Sequence, residues 1–260
     1  MTITIINDCR DENAKARQVA RAASIFKCAV AFVGVANDLE ASGNLVDALD
    51  ALEDRRGVVL VNVAPRHGKA KQWPNGTPFG YFRYKGVLVA ASIDGCTLSL
   101  AKKLNLIDAF QILDTEKTTR ALEKRSVIQK ETGHHVVRSQ FRSFNFLPKA
   151  AAVLLGRRHL PSRAMDLETI PDAPRAIWWV DNFGNCKTTL LADELPLKET
   201  AAISEKIGAL QRFPRLKDVP DDTAALIEGS SGIGPKRFLE IVVQGGSAAG
   251  RFNLRSGSLL

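Results

Sequence analysis

The sequence lacks the features that mark membrane-spanning and secreted proteins. None of its apolar runs approaches the roughly 20 consecutive residues that cross a bilayer. The N-terminus reaches Asp8 and Asp11 after a short apolar run, whereas a signal peptide carries an early positive charge and then a longer apolar stretch. We therefore expect a cytoplasmic protein that has no membrane partner.

Cysteine and histidine are scarce, with four of each in 260 residues. The cysteines are far apart in sequence and include no C-x-x-C pair, so we expect reduced thiols rather than disulfides. His134 and His135 are adjacent, but the neighbouring residues supply no two further ligands to complete a tetrahedral site. We therefore expect no bound metal.

Long clusters of basic residues are also missing, although the net charge is +8. Lysine and arginine occur in short groups, and aromatic residues do not alternate with them as they do in proteins that bind single strands. No zinc-finger or helix-turn-helix signature is present. This distribution favours a solvated basic surface, and we expect no nucleic-acid partner.

What the sequence does contain is an alternation of two hydrophobic periods. Residues 2–7, 27–35 and 57–64 have the pattern of buried strands, and residues 11–26 and 38–52 have apolar side chains at helical spacing. This strand–helix alternation predicts an α/β fold, with a mainly parallel sheet flanked by helices. Further predicted elements follow these, so we assign residues 1–160 to an α/β N-terminal domain. The further elements are a hairpin over 79–84 and 86–93, helices over 97–104 and 147–155, and a strand over 107–113.

The pattern changes after residue 160. Residues 161–176 contain three prolines around a polar middle, which is typical of a linker. Beyond them, short strand-like runs are separated by Gly, Asn, Pro and Ser. We therefore expect a smaller, β-rich and barrel-like C-terminal domain over residues 177–260, with strands at 177–181, 188–191, 224–228 and 238–243.

Three loops follow the carboxyl ends of the predicted strands, where open parallel sheets bind ligands. The Asp8 carboxylate can accept hydrogen bonds from both ribose hydroxyls, or else Asp8 or Asp11 caps the next helix. Arg66 and His67 can hold an anion or transfer a proton, or else form an exposed basic turn. Asp94 lies in a turn that opens a helix, whose free N–H groups attract polar ligand atoms.

Two segments of the C-terminal domain also have two interpretations each. Asp181, Phe183 and Asn185 share a tight turn, in which the carboxylate can bind an ammonium group, the ring can cover adenine and the amide can pair with its edge. The alternative is an ordinary type I′ hairpin. Ser231 lies among glycines and serines that form either an anion-binding nest or a flexible turn, and no G-K-[ST] follows as it would in a P-loop.

Together these segments resemble the S-adenosylmethionine (SAM) hydroxide adenosyltransferases and the related SAM-dependent fluorinases and chlorinases. Asp8 matches the aspartate of the family's T-D-F-G-like turn, and residues 180–189, VDNFGNCKTT, resemble its I-D-R-F-G-N-x-x-T-N. The matches occur in order along nearly the whole chain. The other matching segments are 57–68, 93–98, 146–151 and 231–249.

The resemblance implies that SAM or adenosine is the ligand, with SAM as a substrate or bound ligand rather than a cofactor. It also implies a homotrimer whose sites lie between the N-terminal domain of one subunit and the C-terminal domain of the next. The family reaction is attack by water or halide on ribose C5′, with methionine as leaving group. The implied binding residues are Asp8 at the ribose, Asp94 in the matching turn, Asp181 and Ser231 near methionine, and Phe183 and Asn185 near adenine.

The sequence departs from the family around the attacking water. Hydroxide-forming members use an aspartate, an arginine and a histidine there, but Ala64 replaces the aspartate, and Arg66 and His67 replace the glycine and valine that follow the proline. Residues 139–142 replace the segment that carries the histidine. We therefore predict a rebuilt site, with His67 as base and Arg66 or Arg142 as positioning cation.

Three functions stay open at this point. The first is a SAM hydrolase that produces adenosine and L-methionine. The second is a SAM- or adenosine-binding protein without catalysis. The third is adenosyl transfer to another nucleophile, for which Arg66, His67 and Lys69 suit an oxyanion better than a halide.

Overall fold

The computed structural model describes residues 1–64, 73, 76–139, 142–195 and 200–260. They form two compact units, Met1–Pro171 and Asp172–Leu260. The boundary between the units falls inside the segment 161–176, which the sequence predicted as a linker.

Seven strands of the first unit form one sheet. Their bounds are β1 (Thr2–Asn7), β2 (Val30–Gly34), β3 (Gly57–Asn62), β4 (Phe79–Tyr84), β5 (Val87–Ser92), β6 (Phe110–Leu113) and β7 (Ser162–Met165). The order across the sheet is β2-β1-β3-β5-β4-β6-β7. Neighbours among β2, β1, β3 and β5 are parallel, whereas β4, β6 and β7 pair antiparallel with their neighbours. The predicted strand–helix alternation therefore gives the parallel half of the sheet.

Helices flank this sheet. Those of the described first unit are α1 (Glu12–Phe26), α2 (Asp38–Ala51), α3 (Ser99–Lys103), α4 (Thr115–Lys124), α5 (Lys130–Arg138), α6 (Arg142–Asn145) and α7 (Leu147–Leu155). Helices α1 and α7 share a buried apolar cluster with Ile3 and Leu60 of the sheet. Helix α2 packs against β1 and β3, and its buried Leu45 and Leu49 lie outside that cluster. Each such leucine stabilises the fold by about 2 kcal/mol through burial.

Side-chain caps determine where the longer helices begin. Asp11, Asn37 and Asp114 each accept a hydrogen bond from a backbone N–H three residues ahead, which satisfies a donor in the first helical turn. Asp11 is thus the residue that caps α1. The helix-cap interpretation of this loop is correct for Asp11 alone.

The sequence prediction of a linker over 161–176 needs correction. Residues Ser162–Met165 form β7, which pairs antiparallel with β6 from Phe110–Met165 to Leu113–Ser162. This strand is at the edge of the sheet and its side chains are mostly exposed, so it lacks the apolar alternation of a buried strand. Pro161 directly precedes it, at a position where the missing N–H of proline costs little.

The second unit contains a curled sheet of six strands. Only β11 and β12 pair in parallel among its named strands, and the other pairs are antiparallel. A short helix, α8 (Ala248–Phe252), packs on β13 (Lys236–Val243). The order is β10-β11-β12-β13-β9-β8, and the remaining bounds are β8 (Ile177–Val180), β9 (Cys186–Leu191), β10 (Thr200–Ser204), β11 (Gly208–Phe213) and β12 (Ala224–Ile233).

The predicted fold class is confirmed. The first unit is a mixed α/β domain and the second is a smaller, β-rich domain that resembles half a barrel. None of the helices in the described ranges is both long enough and apolar enough to span a bilayer.

Candidate functional site

A row of polar side chains ends three adjacent parallel strands of the first unit. Asn7 is directly opposite Asn62, and the next row of the register places Ser92 beside Asn62. Asn62 Nδ2 donates to Asn7 Oδ1 at 3.1 Å, and the backbone N–H of Val63 donates to Ser92 Oγ at 3.1 Å. These side chains therefore fix the exit of β3, which is the backbone of residues 62–64 at the carboxyl end of the strand. Sequence reasoning missed them, although a polar residue after a buried apolar run was the signal.

Asp8 lies at the same edge and is half-buried. Its Oδ2 accepts from the backbone N–H of Ala64 at 3.0 Å, and its own N–H donates to the carbonyl of Asn62 at 3.2 Å. The carboxylate is thus fixed at the carboxyl ends of β1 and β3, which is the position predicted for it. The predicted ribose contact of Asp8 stays a prediction.

Asp94 belongs to the turn between β5 and α3. Its carbonyl accepts from the hydroxyl of Thr97 at 2.8 Å, which tightens the turn. The backbone N–H of Cys96, in the same turn, donates to Asp38 Oδ2 at 2.7 Å. Gly95 has a φ of +57°, and a Cβ atom there would lie 2.0 Å from the same oxygen of Asp38. The turn is therefore built around Asp38.

Arg142 is buried, with 3% of its surface exposed. Its Nη1 donates to Thr115 Oγ1 at 2.9 Å, and its Nη2 donates to the carbonyls of Gly76 and Thr77 at 2.5 and 3.3 Å. Burial lowers the pKa of its guanidinium, which nevertheless stays charged at neutral pH. Arg142 thus connects α4, α6 and the chain before β4, and its predicted role beside a nucleophile stays a prediction.

The other two predicted catalytic residues, Arg66 and His67, lie outside the described residues, as does Lys69. The described chain ends at Ala64 on one side of this segment, where Asp8 holds the backbone. The predicted base is therefore adjacent in sequence to the carboxyl edge of the sheet, and its role stays a prediction.

In the second unit, Asp181 organises the turn between β8 and β9. Its Oδ1 accepts from the backbone N–H groups of Phe183 and Asn185 at 2.9 and 2.8 Å, and its Oδ2 accepts from Asn185 Nδ2 at 2.9 Å. Backbone bonds between Asp181 and Asn185 and between Gly184 and Asp181 close the turn. Strands β8 and β9 pair antiparallel, so the segment is a hairpin, but it is not the predicted type I′ turn, because Gly184 alone among residues 181–185 has a positive φ. The turn holds the backbone of Phe183 and the side-chain amide of Asn185.

A cavity of about 550 Å³ adjoins this turn. Phe183 and Asn185 line one side, and Leu216 with residues 243–247 line the other. The ring of Phe183 is 72% exposed, which is unusual for an aromatic side chain. Gly184 has a φ of +86°, and a Cβ atom there would lie 2.0 Å from Ser247 Oγ, so the turn and the lining segment are in close contact.

Ser231 is buried inside β12, at the register shift between Glu228 and Gly232. Lys187 of β9 donates from Nζ to Ser231 Oγ at 2.5 Å, and the same Nζ lies 5.4 Å from the centre of the Trp178 ring. Ser231 is therefore part of a bulged strand rather than of a flexible loop. Lys187, which sequence reasoning did not single out, places a positive charge next to it.

Cys186 is the buried neighbour of this group. Burial, followed by the negative charges of Asp181 and Glu240, raises the pKa of its thiol to about 12. The thiol is therefore neutral at physiological pH and is a poor nucleophile. Among the residues that the structure describes, no three His, Cys, Asp or Glu side chains come together as a metal site would require.

Comparisons with known proteins bear on the fold. No protein-family model and no curated protein matches the chain. Among solved structures, an uncharacterized conserved protein from Thermotoga maritima has a TM-score of 0.64 at 16% identity, over 98% of this chain and 97% of its own. A conserved hypothetical protein from Thermus thermophilus has a TM-score of 0.57 at 20% identity, over 100% and 99%. These similarities show that the fold is shared with both proteins.

Proposed function

We propose that this protein binds SAM and transfers its adenosyl group to water, which yields adenosine and L-methionine. The observation that carries the proposal is the cavity beside Phe183 and Asn185, because it joins an exposed aromatic ring and an oriented amide in one turn. The sequence resemblance to SAM hydroxide adenosyltransferases assigns the same two residues to adenine.

Adenine recognition follows from the chemistry of this turn. An exposed phenylalanine ring offers a flat apolar surface on which a purine can stack. Asn185 donates its Nδ2 to Asp181, which fixes the amide and leaves Oδ1 to accept from the adenine amino group. A volume of about 550 Å³ is within the range of small-ligand pockets.

The remaining contacts divide between ribose and methionine. Asp8, held through Oδ2 by the Ala64 N–H, is proposed to accept from the ribose hydroxyls. The Asp181 carboxylate accepts three N–H groups, and we propose that it also attracts the methionine ammonium. Lys187 carries a positive charge that suits the methionine carboxylate, and the buried Ser231, whose Oγ accepts from Lys187 Nζ, is proposed to position it.

The reaction requires little covalent chemistry from the protein. The sulfonium makes methionine a good leaving group, so the protein must exclude bulk water, align one water with C5′ and sulfur, and accept its proton. We propose His67 as the proton acceptor because its ordinary pKa is near neutrality, with Arg66 as the positioning cation. A homotrimer is proposed from the family resemblance.

Binding of SAM or adenosine without turnover is the second candidate function. Arg142 favours it, because the guanidinium predicted to position a nucleophile is buried and bonded to Thr115, Gly76 and Thr77. Under this alternative the adenine-binding turn and Asp8 keep the same roles, and only the reaction is missing.

One experiment separates the two functions. Purified protein is incubated with SAM, and the products are identified by liquid chromatography and mass spectrometry. We expect adenosine and methionine from the parent and not from His67→Ala. Intact SAM despite saturable binding would overturn the hydrolase and leave the binding protein.

A matched pair of variants tests the adenine site in either case. Phe183→Ala and Leu259→Ala each remove an apolar side chain of similar exposure, 72% and 73%. We expect Phe183→Ala to weaken SAM binding about tenfold, since stacking on a base contributes roughly 1–3 kcal/mol. Leu259→Ala should leave the calorimetric Kd unchanged. Equal Kd values for the two variants would contradict the proposal that adenine binds in this cavity.

A further inference from the structure

Two adjoining cavities lined by basic side chains lie at the amino ends of the parallel strands β3 and β5. One cavity of about 450 Å³ is lined by four basic side chains and by three apolar or glycine residues. They are Arg56, Arg83, Lys85 and Arg157, with Gly86, Leu155 and Gly156. A second cavity of about 350 Å³ shares Arg83 and Arg157 and adds Arg158, His159 and Tyr81. No acidic residue is among the described residues that line either cavity. We call the two adjoining cavities the basic groove.

The fold assembles this groove from three separate segments. Arg56 directly precedes β3, Arg83 and Lys85 belong to the β4–β5 hairpin, and Arg157 follows α7. The hairpin is fixed against the chain before β3, since a Cβ atom on Gly86 would lie 2.8 Å from the carbonyl oxygen of Asp54. The sequence pattern of dispersed basic groups predicted a diffuse surface, but the topology gathers these residues.

Most of the positive charge in the groove is not neutralised by acidic side chains of the residues that the structure describes. Lys85 is paired with Asp54 at 2.6 Å, and Arg83 donates to the carbonyl of Leu154 at 2.5 Å. The side chains of Arg56, Arg157 and Arg158 are exposed and have no hydrogen bond or ion pair with any other described residue. The guanidinium groups of Arg56, Arg157 and Arg158 are therefore exposed to solvent. They lie beside Arg83 and Lys85, whose side chains are held by hydrogen bonds.

The backbone at Arg157 adds a second observation. Its φ is +56°, just after the end of α7, in the left-handed conformation that glycine adopts at lower cost. An arginine at this position works against stability, and its side chain lines both cavities. Guanidinium groups bind phosphate through paired N–H donors.

We propose that the basic groove binds the phosphate groups of an oligoanion, with Arg56 and Arg157 as direct phosphate ligands. The two cavities share their central arginines, so the groove accommodates linked phosphates better than one isolated ion. This function goes beyond the proposed SAM chemistry and is independent of it, because the groove lies at the amino ends of β3 and β5 and Asp8 lies at the carboxyl ends.

The test uses the full chain and three probes. Calorimetry measures inorganic phosphate and linear tripolyphosphate, and fluorescence anisotropy measures a labelled single-stranded RNA of about ten nucleotides at several salt concentrations. Arg157→Gly removes the side chain at a glycine-compatible position, so it is expected to fold at least as well as the parent. Lys27→Gly is the matched control, because Lys27 is an exposed cation with a φ of +55° after α1 that lines neither cavity.

We expect Arg157→Gly and Arg56→Gln to weaken tripolyphosphate or RNA binding by about tenfold each, with Lys27→Gly within about twofold of the parent. Tighter binding of RNA than of tripolyphosphate identifies a nucleic acid as the source of the phosphates, and the reverse identifies a small polyphosphate compound. The absence of binding by all three probes overturns the proposal. Equal losses in Arg157→Gly and Lys27→Gly also overturn it, because binding would then depend on net charge alone.

Discussion

The carboxylate of Asp181 and the amide of Asn185 form a closed pair. Asp181 Oδ1 accepts the backbone N–H of Asn185 at 2.8 Å, and Oδ2 accepts its side-chain Nδ2 at 2.9 Å. One residue therefore sets both the backbone and the side chain of the other. The adenine-binding turn that we propose depends on this pair for its shape.

Replacement of that carboxylate should cost stability. Asp181→Asn keeps the size of the side chain but turns one acceptor oxygen into a donor that faces Asn185, so we expect a loss of about 2 kcal/mol in the free energy of unfolding. Urea unfolding measures it. Asp193→Asn, at an exposed acidic residue of the same unit, is the control and should change the value by less than about 0.5 kcal/mol. Similar values for the two variants would contradict a structural role for Asp181.

Gly184 and Gly208 separate backbone strain from steric contact. Both have positive φ values, +86° and +79°, but a Cβ atom would lie 2.0 Å from Ser247 Oγ at Gly184 and has nothing within 4 Å at Gly208. We expect Gly208→Ala to cost about 1 kcal/mol from conformation alone and Gly184→Ala to cost at least about 1 kcal/mol more. Thermal unfolding gives both, and equal shifts in Tm would show that the turn yields to the added methyl group.

Arg142 should be needed for stability regardless of any catalytic role. Arg142→Met removes the hydrogen bonds donated to Thr115, Gly76 and Thr77 and leaves the two carbonyls without this donor, so we expect a loss of about 3 kcal/mol on urea unfolding. Arg142→Lys should recover only part of it, because an ammonium cannot reproduce the forked geometry.

The control for Arg142 is Arg138→Met, at an exposed position near the end of α5. It should shift the free energy of unfolding by less than about 0.5 kcal/mol. A loss from Arg142→Met no larger than this would mean that solvent or other groups replace the guanidinium.

The buried thiol of Cys186 predicts a pH dependence. The unfolded chain releases this proton above about pH 9, whereas the folded protein retains it until about 12, so stability falls as the pH rises through this window. We expect Cys186→Ala to reduce that slope between about pH 8.5 and 10.5.

Alkylation checks the same thiol in the native protein. At pH 8.5, where an exposed thiol is partly ionised, iodoacetamide should label the exposed Cys9 and leave Cys186 unmodified. Peptide mass spectrometry identifies the labelled sites, and denatured protein, in which all four cysteines react, is the control. Labelling of Cys186 at the rate of Cys9 would contradict the burial of this thiol.

Much of the fold was predictable because its strands are apolar and its breakers are clear. The prediction for β1 is identical to the observed Thr2–Asn7, and the prediction for α7 is identical to Leu147–Leu155. In contrast, α4 was missed because its buried face contains Thr118, Thr119 and a single leucine, so the hydrophobic period is hidden. Hydroxyl groups that bond to backbone carbonyls take the place of apolar contacts there.

The geometry of the candidate site was predictable only where one polar or aromatic side chain stood out in a short turn, and the binding roles of these residues stay predictions. Asp8, Asp181, Phe183 and Asn185 stood out as polar or aromatic residues in short turns, and the last three are held in one turn. The contact between Lys187 and Ser231 was not predictable, because it joins residues 44 positions apart across two strands of the second sheet. Such contacts depend on register, which a lone sequence does not supply.

The hydrogen bonds at the exit of β3 have an evolutionary consequence. Asp8 and Ser92 hold this exit through the backbone N–H groups of Ala64 and Val63, and every residue except proline has such a group. Side chains can therefore be exchanged there without loss of the anchor. The residue at position 64 can therefore differ between related chains while β1, β3 and β5 stay in register.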